Sequence, residues 1–253
     1  MTAPRFLVLD FDGVICDSTE ECIVTAWNAW QNSRDLVRFS NEVPEPFRSA
    51  LQRNRSYVRT AGEYVVLLEA ARTGRVIGSQ ADYQVLLKEF QTAIKPYGDL
   101  FFSSRDRLRA DDERHWLGLH AVYSGMADDL RWLWDCFEMF VVTGKDSNSV
   151  QRFFESFGLS IAPGRIYDKD AARDKLSAIR IIASTLSRPL NSAVFIDDNV
   201  HHLLPAHEAG CHAFVAGWGY HTNEELDLAR RRSIPFLELD SWAAVVLQQG
   251  VTA

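Results

Sequence analysis

Side chains able to handle protons, phosphate or metal ions stand at the ends of three short apolar runs. Phe6-Leu7-Val8-Leu9 stops at Asp10, with Asp12 and Gly13 just beyond; Met139-Phe140-Val141-Val142 stops at Thr143 and Gly144; Ala193-Val194-Phe195-Ile196 stops at the pair Asp197-Asp198. If these run ends meet in space, four carboxylates share a small volume, and such crowding is costly unless a cation neutralises it. A cluster of hard oxygen donors favours Mg2+ over softer metals. Mg2+ in turn keeps open positions for water and phosphate oxygens, so a phosphorylated ligand completes the set. The Thr143 hydroxyl and the Gly144 N–H supply hydrogen bonds to those oxygens. A lysine is needed to balance the remaining negative charge, and Lys175, which opens a predicted helix, and Lys169, on the loop before it, both qualify.

The elements that must position these residues follow from the pattern around them. Short, sharply bounded apolar runs suit buried parallel strands. Ala213–Ala216 and Phe236–Leu239 continue the series, and Arg165–Tyr167 adds a short strand. Helical stretches are expected at Ser147–Phe157, Arg173–Leu186, Val200–Ala209 and Asn223–Arg231, the second with Leu176, Ile179, Ile182, Ala183 and Leu186 on one face. Strand and helix alternation predicts an α/β fold with a doubly wound parallel sheet, Rossmann-like in its connectivity. In such a sheet the ligand crevice lies beyond the carboxyl ends of the strands, where all three run ends fall.

From about Ser18 to about His120 the rhythm breaks. Glu63–Glu69 and Tyr83–Phe90 carry helical periodicity, Gly and Pro punctuate the rest, and no strand-like run stands out. An all-helical insert over 18–120 is expected, leaving 1–17 and 121–253 as the α/β core. Within the insert, Arg48, Arg53, Arg55 and Arg59 form a basic cluster; Arg55 and Arg59 would share a helical face at a spacing of four. They are read either as a solvated face or as groups reaching a substrate carboxylate or second phosphate.

The chain of 253 residues is 47% hydrophobic and 24% charged, enough for a large globular core and unlike a disordered tail. Its 27 Lys and Arg against 34 Asp and Glu give a net charge of -7, which argues against nucleic-acid or anionic-membrane partners. The four cysteines, Cys16, Cys22, Cys136 and Cys211, show no metal-ligand spacing and fit reduced thiols of a cytoplasmic protein. No apolar run reaches spanning length, and residues Met1–Arg5 lack a signal-peptide pattern.

Together, Asp10-Phe11-Asp12-Gly13-Val14, Val142-Thr143-Gly144, Lys175 and Ile196-Asp197-Asp198-Asn199 resemble the four ordered motifs of the haloacid dehalogenase-like superfamily, in its phosphatase branch. The insert directly after the first motif is similar to the helical cap of phosphoglycolate phosphatase-like members. The resemblance implies a Mg2+-dependent phosphatase acting on a small phosphorylated metabolite, a phosphomonoester. It makes Asp10 the nucleophile that becomes an aspartyl phosphate, and Asp12 the acid and then base, its carbonyl also on the metal. Thr143 holds the phosphoryl group and Lys175 neutralises the nucleophile. Asp198 is the direct metal ligand, while Asp197 acts on the metal's water shell or orients the lysine; Asp10, Asp12, Asp197 and Asp198 are thus the metal-site residues, and Gly144, Arg55 and Arg59 the substrate-binding ones. Two features depart from the family pattern: no proline follows the lysine, and the fourth motif reads Asp-Asp. A phosphosugar mutase of the same fold and a non-catalytic phospholigand-binding protein are the alternative readings.

The histidines His201, His202, His207 and His212 open and flank a helix and are read as surface residues. The seven tryptophans, Trp27, Trp30, Trp132 and Trp134 among them, are read as core or cap packing. Cys16 is read as a small buried hydrophobe or a thiol at the site mouth.

Overall fold

A computed structural model describes residues 5–34 and 40–251. Met1–Pro4, part of the stretch read above for a signal peptide, lie outside the described residues. The chain divides into two compact units, Met1–Asp17 with Ala121–Ala253, and Ser18–His120.

The first unit is built on a six-stranded parallel sheet. Its strands are β1 (Phe6–Leu9), β4 (Glu138–Val142), β5 (Ile166–Tyr167), β6 (Ala193–Asp197), β7 (His212–Ala216) and β8 (Phe236–Leu237), ordered β5-β4-β1-β6-β7-β8. The central strands are continuous apolar runs because both faces are covered, so no polar alternation is needed. Phe6, Val8, Phe140 and Phe195 pack with Ile179 and Ile182 of α9 (Lys175–Thr185) and Leu203 of α10 (Val200–Glu208). The last strand is shorter than the run Phe236–Leu239 suggested; Glu238 and Asp240 end it at Leu237 in a turn.

β1 lies between β4 and β6, so the strand order reverses at β1, the point where open α/β sheets place their ligand crevice. Register sets the three run ends level: Leu9 pairs with Val141 on one side and Ile196 on the other. Beyond β1 the chain turns tightly and forms β2 (Cys16–Asp17), which pairs antiparallel with β3 (Ala121–Val122). These two short strands carry the chain out to and back from residues 18–120. Helices α7 (Met126–Cys136), α8 (Ser147–Ser156), α11 (Asn223–Arg231) and α12 (Trp242–Val251) complete the unit.

The second unit is helical throughout its described residues: α1 (Thr19–Asn32), α2 (Glu45–Arg53), α3 (Tyr64–Arg72), α4 (Gln80–Glu89), α5 (Gln91–Asp111) and α6 (Glu113–Gly118), with two single 3-10 turns. Trp27 and Trp30 stack at 5.3 Å and share Phe47. Glu21, fully buried, receives Arg105 through two hydrogen bonds of 2.8 and 2.9 Å, plus the Thr25 hydroxyl and the Trp116 indole. A buried carboxylate persists only with its charge and lone pairs answered, and this one is answered from α1, α5 and α6 together.

Two sequence expectations change here. Arg55 and Arg59 do not share a helical face: α2 ends at Arg53, where the Asn54 side chain donates to the Ala50 carbonyl and closes the helix end. Arg55 lies in a 3-10 turn and Arg59 beyond it, with its guanidinium donating to the carbonyl of Val58 at 3.3 Å and to that of Ser56. Trp132 is half exposed on α7 and not core packing.

Candidate active site

Asp10 sits one residue past β1, almost buried, its own N–H bonded to the Ile196 carbonyl at 3.0 Å. One carboxylate oxygen accepts the Phe11 N–H at 2.7 Å. The other meets the Lys175 ammonium at 2.7 Å, and the same ammonium reaches Asp197 Oδ2 at 2.6 Å. Lys175 can do this because it is the first residue of α9, whose N-cap Asp174 accepts the Ser177 N–H and sets the helix start. Lys169 pairs with its neighbour Asp170.

Asp197 is fully enclosed and accepts three donors: Lys175, the Asn199 N–H at 2.8 Å and His202 Nδ1 at 3.2 Å. Burial opposes its charge, but Lys175 and His202 outweigh burial and hold its carboxyl well below the ordinary range. For Asp10 the balance falls the other way: burial dominates over Lys175 and raises its carboxyl. Burial disfavours the Lys175 ammonium, yet its two carboxylates overcome that and raise its pKa. Asp10, Asp197 and His202 present ligand atoms within 4.8 Å of one another, a grouping that by itself suits a metal. Lys175 already bridges the two carboxylates, so the ammonium fills the cationic role there.

A second ion pair lies on the β4 side. Lys145, fully buried, sets its ammonium 3.3 Å from Asp12 Oδ1 and 5.6 Å from the centre of the Phe11 ring. Its N–H donates to Thr143 Oγ1 at 3.2 Å, linking the buried Thr143 to the residue facing Asp12. Gly144, between them, is exposed. Asp146 caps α8 through the Ser149 N–H and so fixes this segment from its far side.

Asp198 faces the turn after β1. Gly13 adopts φ +83°, and a Cβ there would fall 2.2 Å from Asp198 Oδ2. The same carboxylate oxygen accepts the Tyr220 N–H at 2.7 Å, and a Cβ on Gly219 would fall 2.3 Å from Asp198 Cβ. Two glycines therefore make room for this side chain to be gripped by backbone.

The donor set fits a divalent cation. Asp10, Asp12, Asp197 and Asp198 contribute four carboxylates against the two ammonium groups of Lys145 and Lys175, an excess of negative charge on hard oxygens.

Asp10, Asp12, Thr143, Gly144, Lys175, Asp197 and Asp198 all belong to the strand-end edge of the first unit. Arg55 and Arg59 belong to the second unit, where the Arg59 guanidinium donates to main-chain carbonyls. Sequence reasoning missed Lys145, His202 and Tyr220. Lys145 carried a usable signal, being two residues past Thr143; His202 carried one too, one helical turn past Asp198 on the helix that starts there. Tyr220 gave none, because its link to Asp198 runs through a backbone N–H. Cys16 is the small buried side chain of the two readings offered.

No family model matches the chain, and no curated protein matches it in sequence. Solved structures do match in fold. A predicted phosphoglycolate phosphatase from Haemophilus somnus is 14% identical at a TM-score of 0.64, over 98% of this chain and 99% of that one. A predicted phosphatase from Clostridium acetobutylicum is 17% identical at 0.61, over 98% and 100%. A haloacid dehalogenase-family hydrolase from Deinococcus radiodurans, solved with bound phosphate and sodium, is 17% identical at 0.57, over 99% and 97%. The chain shares the fold of these solved structures.

Proposed function

We propose that the protein is a phosphatase that hydrolyses a small phosphomonoester, with Mg2+, through a phosphoryl group carried on Asp10. The observation that carries this reading is the Lys175 ammonium held between Asp10 and Asp197 at the switch point of the sheet. A buried aspartate kept in place by a lysine is a nucleophile with its charge offset and its orientation fixed. The Phe11 N–H and Lys175 hold one oxygen each of that carboxylate.

Asp10 attacks phosphorus and the alcohol leaves; the P–O bond to the alcohol breaks as the bond to Asp10 Oδ forms. Asp12 delivers its proton to the leaving oxygen and then takes one from the attacking water, which releases phosphate and restores Asp10. Lys145 holds the Asp12 carboxylate in its place between these two proton transfers. The Thr143 hydroxyl and Gly144 N–H donate to the transferring oxygens, and Lys175 offsets the charge that grows on them. Asp10, the Asp12 main chain and Asp198 would hold the cation, since Asp197 is committed to Lys175, His202 and Asn199. When bound, Mg2+ offsets charge on the phosphoryl oxygens as a Lewis acid.

A reducing, cytoplasmic setting is consistent with four cysteines outside any disulfide, three of them buried. Among the described residues no helix is long and apolar enough to cross a membrane. The test is release of phosphate from a generic aryl phosphate with and without a chelator, followed by a panel of phosphorylated metabolites. Chelator-sensitive turnover is expected; binding of phosphate without turnover would favour the non-catalytic alternative.

A further inference from the structure

The loop after β7, Gly217–Tyr220, reaches three places at once. The Tyr220 N–H grips Asp198 Oδ2 at 2.7 Å, while the Tyr220 hydroxyl donates to Asp17 Oδ1 at 2.6 Å. Trp218 donates its indole N–H to the Val14 carbonyl at 3.0 Å. Asp17 is the last residue of β2, where the chain leaves for residues 18–120. Tyr123, just past the returning strand β3, sets its ring 6.4 Å from that of Trp218 in an edge-to-face contact. Both crossings of the chain are therefore fastened to the loop that orients Asp198. The crossing needs fastening, because β2 and β3 share only two residue pairs, Cys16 with Val122 and Asp17 with Ala121. So short a ladder is marginal on its own.

We infer that Tyr220 is a positioning residue that ties the Asp198 carboxylate to the crossing strands β2 and β3, so that cation affinity at Asp198 and order in the crossing depend on the same side chain. The cation half rests on the reading of Asp198 as a metal ligand; the crossing half does not. Outer partners that orient a metal ligand typically set 10- to 100-fold in metal affinity. Tyr220→Phe removes only the hydroxyl and leaves the backbone N–H, so the lower end applies.

The test uses the full chain with Mg2+ as probe. Tyr220→Phe should weaken Mg2+ binding about tenfold and, in the metal-free protein, speed amide exchange over residues 13–17 and 121–123 while leaving β4 unchanged. Asp17→Ala should reproduce both effects, and the double variant should add nothing further, because the two substitutions break one bond. Asp17→Asn keeps an acceptor oxygen and should retain most of the wild-type behaviour, which a general loss of folding would not allow. Unchanged Mg2+ affinity in Tyr220→Phe, or exchange that rises equally across the sheet, overturns the proposal. A wild-type protein that binds no Mg2+ refutes the metal reading of Asp198 instead, and the exchange measurement then decides the crossing role alone.

Discussion

Replacing Lys175 with methionine removes the charge and keeps the length of the side chain. The ammonium lies 2.7 Å from Asp10 and 2.6 Å from Asp197, and all three side chains are close to fully buried. At an effective dielectric of about 20, each contact corresponds to roughly 6 kcal/mol of Coulomb attraction, most of it offset by the desolvation of the ions. Breaking a buried pair by deleting one partner costs about 3–5 kcal/mol, because the other charge stays behind unanswered. Here two carboxylates are left behind, so a loss near the upper end of that range is expected at pH 7.5.

The loss depends on pH in a fixed direction. In the wild type, Asp197 is held below its unfolded value, so its contribution is present above about pH 4 and fades as pH falls through the folded value. In Lys175→Met the Asp10 carboxyl, already raised by burial, rises further, and Asp197 rises with only His202 left to offset its burial, so the folded protein takes up protons that the unfolded chain does not. Its deficit is therefore largest above neutrality and shrinks toward pH 5. Urea unfolding of both proteins at pH 7.5 and pH 5 reads this directly. A deficit below about 1 kcal/mol at pH 7.5, the range of an exposed ion pair, or one that does not change with pH, would refute the buried-bridge reasoning.

Lys145→Met should leave Asp12 without its partner and lower kcat on an alkyl phosphate by up to roughly 100-fold, the low end of what a placed general acid and base contributes. The loss should be smaller on an aryl phosphate, whose leaving group needs no proton; equal losses on both would contradict the assignment. Arg105→Met should destabilise the helical unit by about 3–5 kcal/mol by stranding Glu21, and Glu21→Gln combined with it should recover part of that loss. Chemical denaturation followed by tryptophan fluorescence measures both, and no recovery in the double variant would contradict the charge-stranding account.

The sheet and the strand-end residues could be read from sequence because both rest on local signals. An apolar run that stops at Asp10, Thr143 or Asp197 marks a buried strand and its exit in one stroke, and Asn223–Arg231 carries its own capping box through Thr222 and Glu225. The shared helical face expected for Arg55 and Arg59 does not form, because a spacing of four implies one only while the helix continues, and Asn54 ends it with a side-chain hydrogen bond that competes with the backbone pattern. His202 lies only five residues past Asp197 and is hidden by its reading as a surface residue, whereas Lys145 gives no pairing signal because its charge partner, Asp12, follows a different strand. Pairings of that kind follow from strand order, and strand order is set by packing across the whole sheet. Trp132 shows the converse: its aromatic type suggested the core, but its position on α7 turns it outward.

The central claim is that Asp10 carries the phosphoryl group, and the Asp12→Asn variant tests it most directly. With an aryl phosphate the first transfer needs no general acid, whereas the second needs Asp12 to activate water. The account predicts a burst of aryl alcohol equal to the amount of enzyme, slow turnover afterwards, and one added phosphoryl mass on the peptide containing Asp10. Absence of that mass, its appearance on a different residue, or undiminished hydrolysis by Asp10→Asn would contradict it.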